Sequence, residues 1–291
     1  MSKPGKMIKK VFINIQPQDK KSFPLLRELL LFLDSQEIEI LLPDYDLLRI
    51  SPWKKRIASL SKCKQADLVI VLGGDGTFIR TARFFAGKDK LIFGINRGKL
   101  GFLTEFSPQE YLKYLKKVIK GEYQAVDRFF LKVEHYRKNK KINEKYFFND
   151  AVISKGSFSR LIKIELNLNN EFLNSFSGDG LIISTATGST AYSLSAGGPI
   201  IAPNTENIFL LNPICPHSLA MRPMIIPGTS ILKAKIFSEA KNLLLTIDGQ
   251  EGLKIKEEDE IFISSTDKKI KLITHPQKNF YTILKEKLDW K

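Results

Sequence analysis

The chain is poor in cysteine, in histidine and in long apolar runs, and each scarcity removes a class of function. Two cysteines in 291 residues, Cys63 and Cys215, make neither a disulfide framework nor a four-thiolate zinc site. They read as small buried hydrophobes, and so sparing a use fits a reducing compartment. The three histidines are His135, His217 and His275. A serine hydrolase needs a histidine base and the nucleophile elbow Gly-x-Ser-x-Gly, and the elbow occurs nowhere. Cys215 and His217 lie close together, but no second Cys/His pair completes a zinc site. No stretch approaches the ~20 apolar residues of a membrane helix. The greasiest helical pattern, Leu25 to Leu33, contains Arg27 and Glu28. The basic start, MSKPGKMIKK, lacks the apolar core and cleavage site of a secretory signal. The expectation is a soluble, cytoplasmic protein with no membrane partner.

Acid is scarce too: 31 Asp and Glu stand against 46 Lys and Arg, a net charge of +15. Such a balance suits nucleic acid or polyanionic small ligands such as dinucleotides and ATP. The lysines are scattered, and no zinc-finger, basic-zipper or RNA-recognition signature accompanies them. The densest run, Arg137 to Lys141, has one aromatic neighbour, Tyr136, and reads as a solvated hairpin tip. No nucleic-acid partner is expected.

What is present is an ordinary globular composition, 43% hydrophobic and 26% charged, at a length that favours two domains. The first part alternates strands (Ile8 to Ile15, Ile38 to Leu42, Leu68 to Leu72, Leu91 to Ile95) with helices (Phe23 to Leu33, Tyr111 to Ile119). The continuous apolar runs Leu68–Leu72 and Leu91–Ile95 mark parallel strands buried on both faces. After Asp127 the pattern changes to short strands: Phe130–Glu134, Tyr146–Ile153, Leu161–Leu168, Phe172–Phe176, Leu181–Ser184, Ile231–Phe237, Leu243–Ile247 and Glu260–Ser264. A final helix spans Asn279 to Trp290. The expected fold is an α/β domain over 1–125, a mainly-β domain over 126–275 and a tail over 276–291.

Two segments invite chemistry. Gly73-Gly74-Asp75-Gly76-Thr77 follows a buried strand and opens a helix, the arrangement that cradles phosphate with backbone N–H groups. It matches neither the dinucleotide fingerprint nor the P-loop, because the third glycine and the Gly-Lys-Ser/Thr are missing. Asp75 is the odd residue, since a carboxylate in such a loop repels the ligand unless it has another task. It holds a metal, bonds a ribose hydroxyl, takes a proton from one, or simply makes an Asp-Gly turn. The second segment, GDGLIISTATGSTAYSLSAGGPI from Gly178 to Ile200, is dense in hydroxyls. It suits an oxygen-rich ligand or is a turn-rich connection.

With these segments the sequence resembles the NAD kinase family. The resemblance rests on Gly73–Thr77 with Arg80, Gly94–Thr104 (GINRGKLGFLT), Asn149-Asp150, Asp179–Ile200, Pro213–Ser218 with Arg222-Pro223, and Asp248-Gly249-Gln250. The glycine-aspartate loop alone is shared with lipid kinases and phosphofructokinases, whereas Asp179–Ile200 with Asn149-Asp150 is far more specific. The resemblance implies a Rossmann-like N-terminal domain, a mainly-β C-terminal domain, NAD between them, and a C-terminal helix returning to the first domain. It implies phosphorylation of the 2′-hydroxyl of the adenosine ribose of NAD, with ATP or polyphosphate as donor, a divalent cation such as Mg²⁺, and Asp75 as the proton acceptor. Gly73, Gly74 and Thr77 would face the donor phosphates. NAD would be lined by Asp75, Gly76, Asn149, Asp150, Ser177, Asp179, Thr190, Ala191, Tyr192, Ser193, Leu194, Ser195 and Gln250, with Arg80 and Arg160 near phosphate or ribose. A homodimer or homotetramer is also implied. Two positions depart from the family: Ala186 stands where proline is usual, and Ser177 where many members carry a basic residue. Asp150 is one of the two carboxylates the family accepts at its position.

Overall fold

The structure, a computed structural model, describes residues 7–16, 19–49, 51–98, 100–156, 161–205, 207–218, 220–238 and 242–290. The chain divides into two compact units, residues 1–127 with 269–291, and residues 128–268.

The first unit is α/β. Its elements are β1 (Lys10–Ile15), α1 (Phe23–Ser35), β2 (Glu39–Leu41), α2 (Asp46–Arg49), α3 (Leu60–Cys63), β3 (Leu68–Leu72), α4 (Asp75–Phe84), β4 (Leu91–Ile95) and α5 (Tyr111–Ile119). The strands lie parallel in the order β2-β1-β3-β4. All five residues of β3 and of β4 are buried, as expected of strands covered on both faces. Helix α1 tolerates Pro24 in its first turn and buries Leu26, Leu29, Leu30 and Leu33, one stripe at helical spacing. Helix α5 buries Tyr111, Tyr114, Leu115, Val118 and Ile119 in the same way.

The second unit is mainly β. It is entered along β5 (Ala125–Arg137), followed by β6 (Lys140–Phe147), β7 (Asp150–Ser154), β8 (Ile162–Leu168), β9 (Glu171–Gly178), β10 (Gly180–Thr185), the single-turn α6 (Tyr192–Ser195), β11 (Ile208–Ile214), β12 (Met224–Pro227), β13 (Leu232–Phe237), β14 (Leu243–Ile247) and β15 (Glu251–Ile255). Strand β16 (Glu260–Ile273) leaves it, and α7 (Phe280–Leu288) ends the chain. One sheet runs β12-β11-β10-β7-β14-β15, antiparallel throughout. Strand β13 pairs antiparallel with β8 and with the first part of β16, and β8 with β9. The apolar core gathers Phe147, Ile153, Ile164, Leu181, Phe209, Leu245 and Ile261 among others. The basic run is a hairpin tip: Lys138 and Asn139 take the left-handed backbone of a tight turn between β5 and β6.

The last part of β16 belongs to the first unit. Lys271 and Leu272 pair parallel with Leu91 and Ile92, and Ile273 lies in the first core. The segment behind it is tied to α5 and the turn before it. Tyr114 donates to Gln277 at 3.1 Å, the His275 N–H donates to Glu105 at 2.6 Å, and Lys278 donates to Glu110 at 3.0 Å. Burial would raise the Glu110 carboxyl, but the Lys278 ammonium and the Ser107 donors hold it down at about 2. Asn279 caps α7 by accepting from the Thr282 N–H.

The structure corrects three expectations. Tyr146–Ile153 is not one strand: β6 ends at Phe147 and β7 starts at Asp150, in a different sheet. The N–H groups of Phe148, Asn149 and Asp150 turn to the Asp248 carboxylate there. Strands β11, β12 and β15 were not anticipated, and β16 runs well beyond Ser264. Cys63 is buried, but Cys215 is exposed with a left-handed backbone (φ 43°), so it is no core hydrophobe.

Candidate functional site

In the first unit the glycine loop sits where β3 ends. Gly74 caps α4 through its carbonyl, which accepts from the Thr77 and Phe78 N–H groups at 3.0 and 3.1 Å, and no side chain caps the helix. A helix start of this kind attracts anions. Gly74 and Gly76 are exposed, Asp75 half-buried, and Gly73 and Thr77 buried. Beneath the loop runs a chain of hydrogen bonds. Tyr45 donates to Asn14 Oδ1 (3.0 Å), Asn14 Nδ2 to Thr81 Oγ1 (2.7 Å), and Thr81 Oγ1 to the Thr77 carbonyl (2.7 Å). None of these three residues was expected at the site. Asn14 left a signal, being the one polar residue in the apolar run Val11–Ile15. Burial pushes the Tyr45 hydroxyl up, against the opposing charge of the nearby Arg80 guanidinium. Arg80 itself is exposed. A cavity of about 560 Å³ opens over Gly74, lined also by Lys21, Ser22 and Arg97. Arg97 pairs with Asp19, which also accepts from Ser22 Oγ at 2.6 Å.

The Asp75 carboxylate does not point loosely into solvent. Its Oδ2 accepts from the Phe102 N–H (2.9 Å), and its Oδ1 from the Leu103 N–H (3.1 Å) and Thr104 Oγ1 (3.2 Å). The segment that holds it follows β4. It folds back so that the Asn96 N–H reaches the Phe106 carbonyl (2.9 Å) and the Phe106 N–H reaches Gly94 (3.3 Å).

In the second unit, three segments distant in sequence line one cavity of about 350 Å³: Asn149 and Asp150, Ala191 and Tyr192, and Asp248 and Gly249. Among the described residues Asn149 Oδ1 is buried there without a hydrogen-bond partner, and buried polar atoms are as a rule paired. Asp150 is 4% exposed, and burial, then the neighbouring Asp248 charge, push its carboxyl up to about 7. Displaced carboxyls in a concave site mark function more often than chance. Tyr192 presents a half-exposed ring.

The hydroxyl-rich segment divides between cavity-lining and structural residues. Thr185 Oγ1 donates to the Phe148 carbonyl at 2.7 Å, and Ser189 Oγ joins Ala186 to Ile201. Gly188 is required where it stands: a Cβ there would come 2.1 Å from the Asn149 carbonyl oxygen. Ser193 is fully buried and held by Asn212 Nδ2, so its hydroxyl faces the interior. Thr190 and Leu194 are half-buried and Ser195 exposed; with Ser193 they flank Ala191 and Tyr192 without lining that cavity. Asp179 pairs with Lys155 at 2.7 Å, and the Ser177 carbonyl accepts from the His217 N–H at 2.8 Å. Neither lines the cavity. Gln250 closes the Asp248–Gly249 turn, its N–H on Ile247. Arg160 lies outside the described residues.

Residues 49–123 match the family described as ATP-NAD kinase N-terminal domain, and residues 148–275 the ATP-NAD kinase C-terminal domain. An NAD kinase of Trichlorobacter lovleyi is 37% identical over 284 residues, 97% of this chain and 99% of the relative. One of Geotalea daltonii is 41% identical over 227 residues, 78% of this chain and 80% of the relative. The crystal structure of yeast NADH kinase complexed with NADH superposes with a TM-score of 0.88 at 25% identity, covering 98% of this chain and 89% of that one. The matched class is that of the phosphotransferases. The chain belongs to the NAD kinase family.

Proposed function

We propose that the chain transfers the terminal phosphoryl group of ATP to the 2′-hydroxyl of the adenosine ribose of NAD, giving NADP, with Asp75 accepting the hydroxyl proton. The observation that carries this reading is a half-buried carboxylate fixed at the anion-attracting start of α4. Such a charge opposes phosphate binding unless it serves the reaction. The ribose hydroxyl is a poor nucleophile and loses its proton as its oxygen bonds to phosphorus. That phosphorus then parts from the bridging oxygen, which leaves on ADP with the electron pair. A carboxylate at hydrogen-bond distance contributes about 10²–10⁴-fold to such a step, and positioning with charge neutralisation supplies the rest.

Gly73, Gly74 and Thr77 would meet the donor phosphates, with ATP favoured by the family's description and polyphosphate the alternative. Asn149, Asp150, Ala191 and Tyr192 would form the centre of the NAD site. Asp75, Gly76, Arg80, Arg160, Ser177, Asp179, Thr190, Ser193, Leu194, Ser195 and Gln250 would surround it. Among the described residues no three His, Cys, Asp or Glu side chains converge as a metal cage. This donor set fits Mg²⁺ held chiefly by phosphate and water, where it would neutralise phosphate charge. The proposed division is 1–125 for the donor, 126–275 for NAD and 276–291 returning to the first domain. The protein would act in the cytoplasm as a homodimer or homotetramer.

Incubation with NAD, ATP and Mg²⁺, read out by an NADP-specific glucose-6-phosphate dehydrogenase, tests the activity; no NADP above the no-enzyme control rejects it. Asp75→Asn should fold and bind NAD yet lose at least ~10²-fold in kcat. Near-normal turnover by that variant removes Asp75 from the role.

A further inference from the structure

Among the described residues, the Asp75 side chain accepts three hydrogen bonds, and all three come from the end of the segment Gly94–Thr104. We infer that Thr104 is a positioning residue for the proton acceptor, and that Gly101–Thr104 selects the carboxylate oxygen that takes the proton. The inference rests on Asp75 being that acceptor.

A carboxylate oxygen accepts about two hydrogen bonds. Oδ1 of Asp75 already has two, from the Leu103 N–H and the Thr104 hydroxyl, whereas Oδ2 has one, from the Phe102 N–H. Counting donors among the described residues, the lone pair left open is on Oδ2, and that is where the ribose proton goes. Thr104 is 0% exposed, so its hydroxyl has no access to substrate and acts only through Asp75. It is braced from behind. Its carbonyl accepts from the buried Asn96 Nδ2 at 3.3 Å, and Asn96 Oδ1 accepts from the Gly98 N–H at 2.8 Å. Gly101 makes the contact possible: a Cβ there would stand 2.2 Å from Asp75 Oδ1 and 2.4 Å from Thr104 Oγ1. Without the hydroxyl, Oδ1 regains an open lone pair and the carboxylate is held only by the Phe102 and Leu103 N–H groups, so the choice between its oxygens is loosened. The chemical step then slows while NAD binding, which Thr104 does not touch, is kept.

The experiment is steady-state kinetics of Thr104→Val, Thr104→Ser, Thr104→Ala and Asp75→Asn with NAD, ATP and Mg²⁺, each below its melting temperature. Loss of one hydrogen bond to a charged group predicts a fall in kcat of about ten- to a hundred-fold for Thr104→Val. Its KM for NAD should stay within about twofold of wild type. Thr104→Ser should recover most of the rate, and Thr104→Ala should match Thr104→Val even if valine destabilises the fold. Unchanged kcat in Thr104→Val and Thr104→Ala, with Asp75→Asn inactive, overturns the positioning role and leaves the acceptor standing. Failure of serine to rescue, or a parallel rise in KM, also overturns it, since both mark a purely structural residue. Near-normal Asp75→Asn removes the acceptor itself and the inference with it.

Discussion

Asp150 and Asp248 face the same cavity, but backbone donors gather on only one of the two carboxylates. The Asp248 carboxylate collects the N–H groups of Phe148, Asn149 and Asp150. Asp150 has the burial and the neighbouring negative charge without those donors, so its carboxyl titrates near 7. A folded-state value raised above the ordinary carboxylate range means that the folded protein keeps a proton the unfolded chain has released. The associated stability is complete below about pH 4, declines as pH rises, and is gone above about pH 7. Urea unfolding of wild type and Asp150→Asn between pH 4 and 8 should show the wild type losing stability relative to the variant by a few kcal/mol. A constant difference across that range would place Asp150 in the ordinary carboxylate range. This pair was only half legible in the sequence. Asn149-Asp150 and Asp248-Gly249-Gln250 both stood out by resemblance, but nothing local shows that the Asp248 oxygens accept from a strand break about a hundred residues earlier. Asp75 was legible as a misplaced charge, while its hydrogen-bond donors were not, because two of them are backbone N–H groups.

Elements were legible where burial is uniform. Strands β3 and β4 and helix α5 match their expected spans residue for residue, since a fully buried strand is an uninterrupted apolar run and α5 repeats its stripe cleanly. The second unit hides more. Strand β11 carries Asn212 and Pro213, which interrupt its apolar run; β12 reaches only as far as Leu211, so the proline's missing donor faces no partner on that side. Strand β15 is too charged, and its alternation too shallow, to stand out. The 3-10 turn after β10 offers a test of local backbone fit. Ala186 has φ −56° and ψ −39°, close to what a proline ring imposes, and Thr185 before it is extended, as a residue preceding proline prefers. Ala186→Pro should therefore raise stability by about 0.4–1 kcal/mol by restricting the unfolded chain. The check is the shift of the urea midpoint, and a fall in the midpoint would show that the turn needs alanine's freedom.

At the scale of the molecule, the first unit is assembled from two ends of the chain. Residues 1–127 leave β4 without the parallel neighbour supplied by Lys271 and Leu272, and they leave the core without Ile273. They also leave Glu105 and Glu110 without His275 and Lys278. A fragment of residues 1–127 should consequently show no cooperative thermal transition by circular dichroism, whereas adding 269–291 in trans or by a short linker should restore one. A sharp transition in the fragment alone would show that the returning segment is dispensable. The sequence announced the returning tail only through family resemblance, because its own pattern is a short basic helix. This chain order also bears on synthesis. A ribosome adds roughly 5–20 residues per second, so the whole second unit is made, over roughly seven to thirty seconds at those rates, while the nucleotide-loop half waits for its closing strand. During that interval the open flank of β4 is a docking edge for other nascent chains, and slow translation past Arg128 would lengthen the exposure.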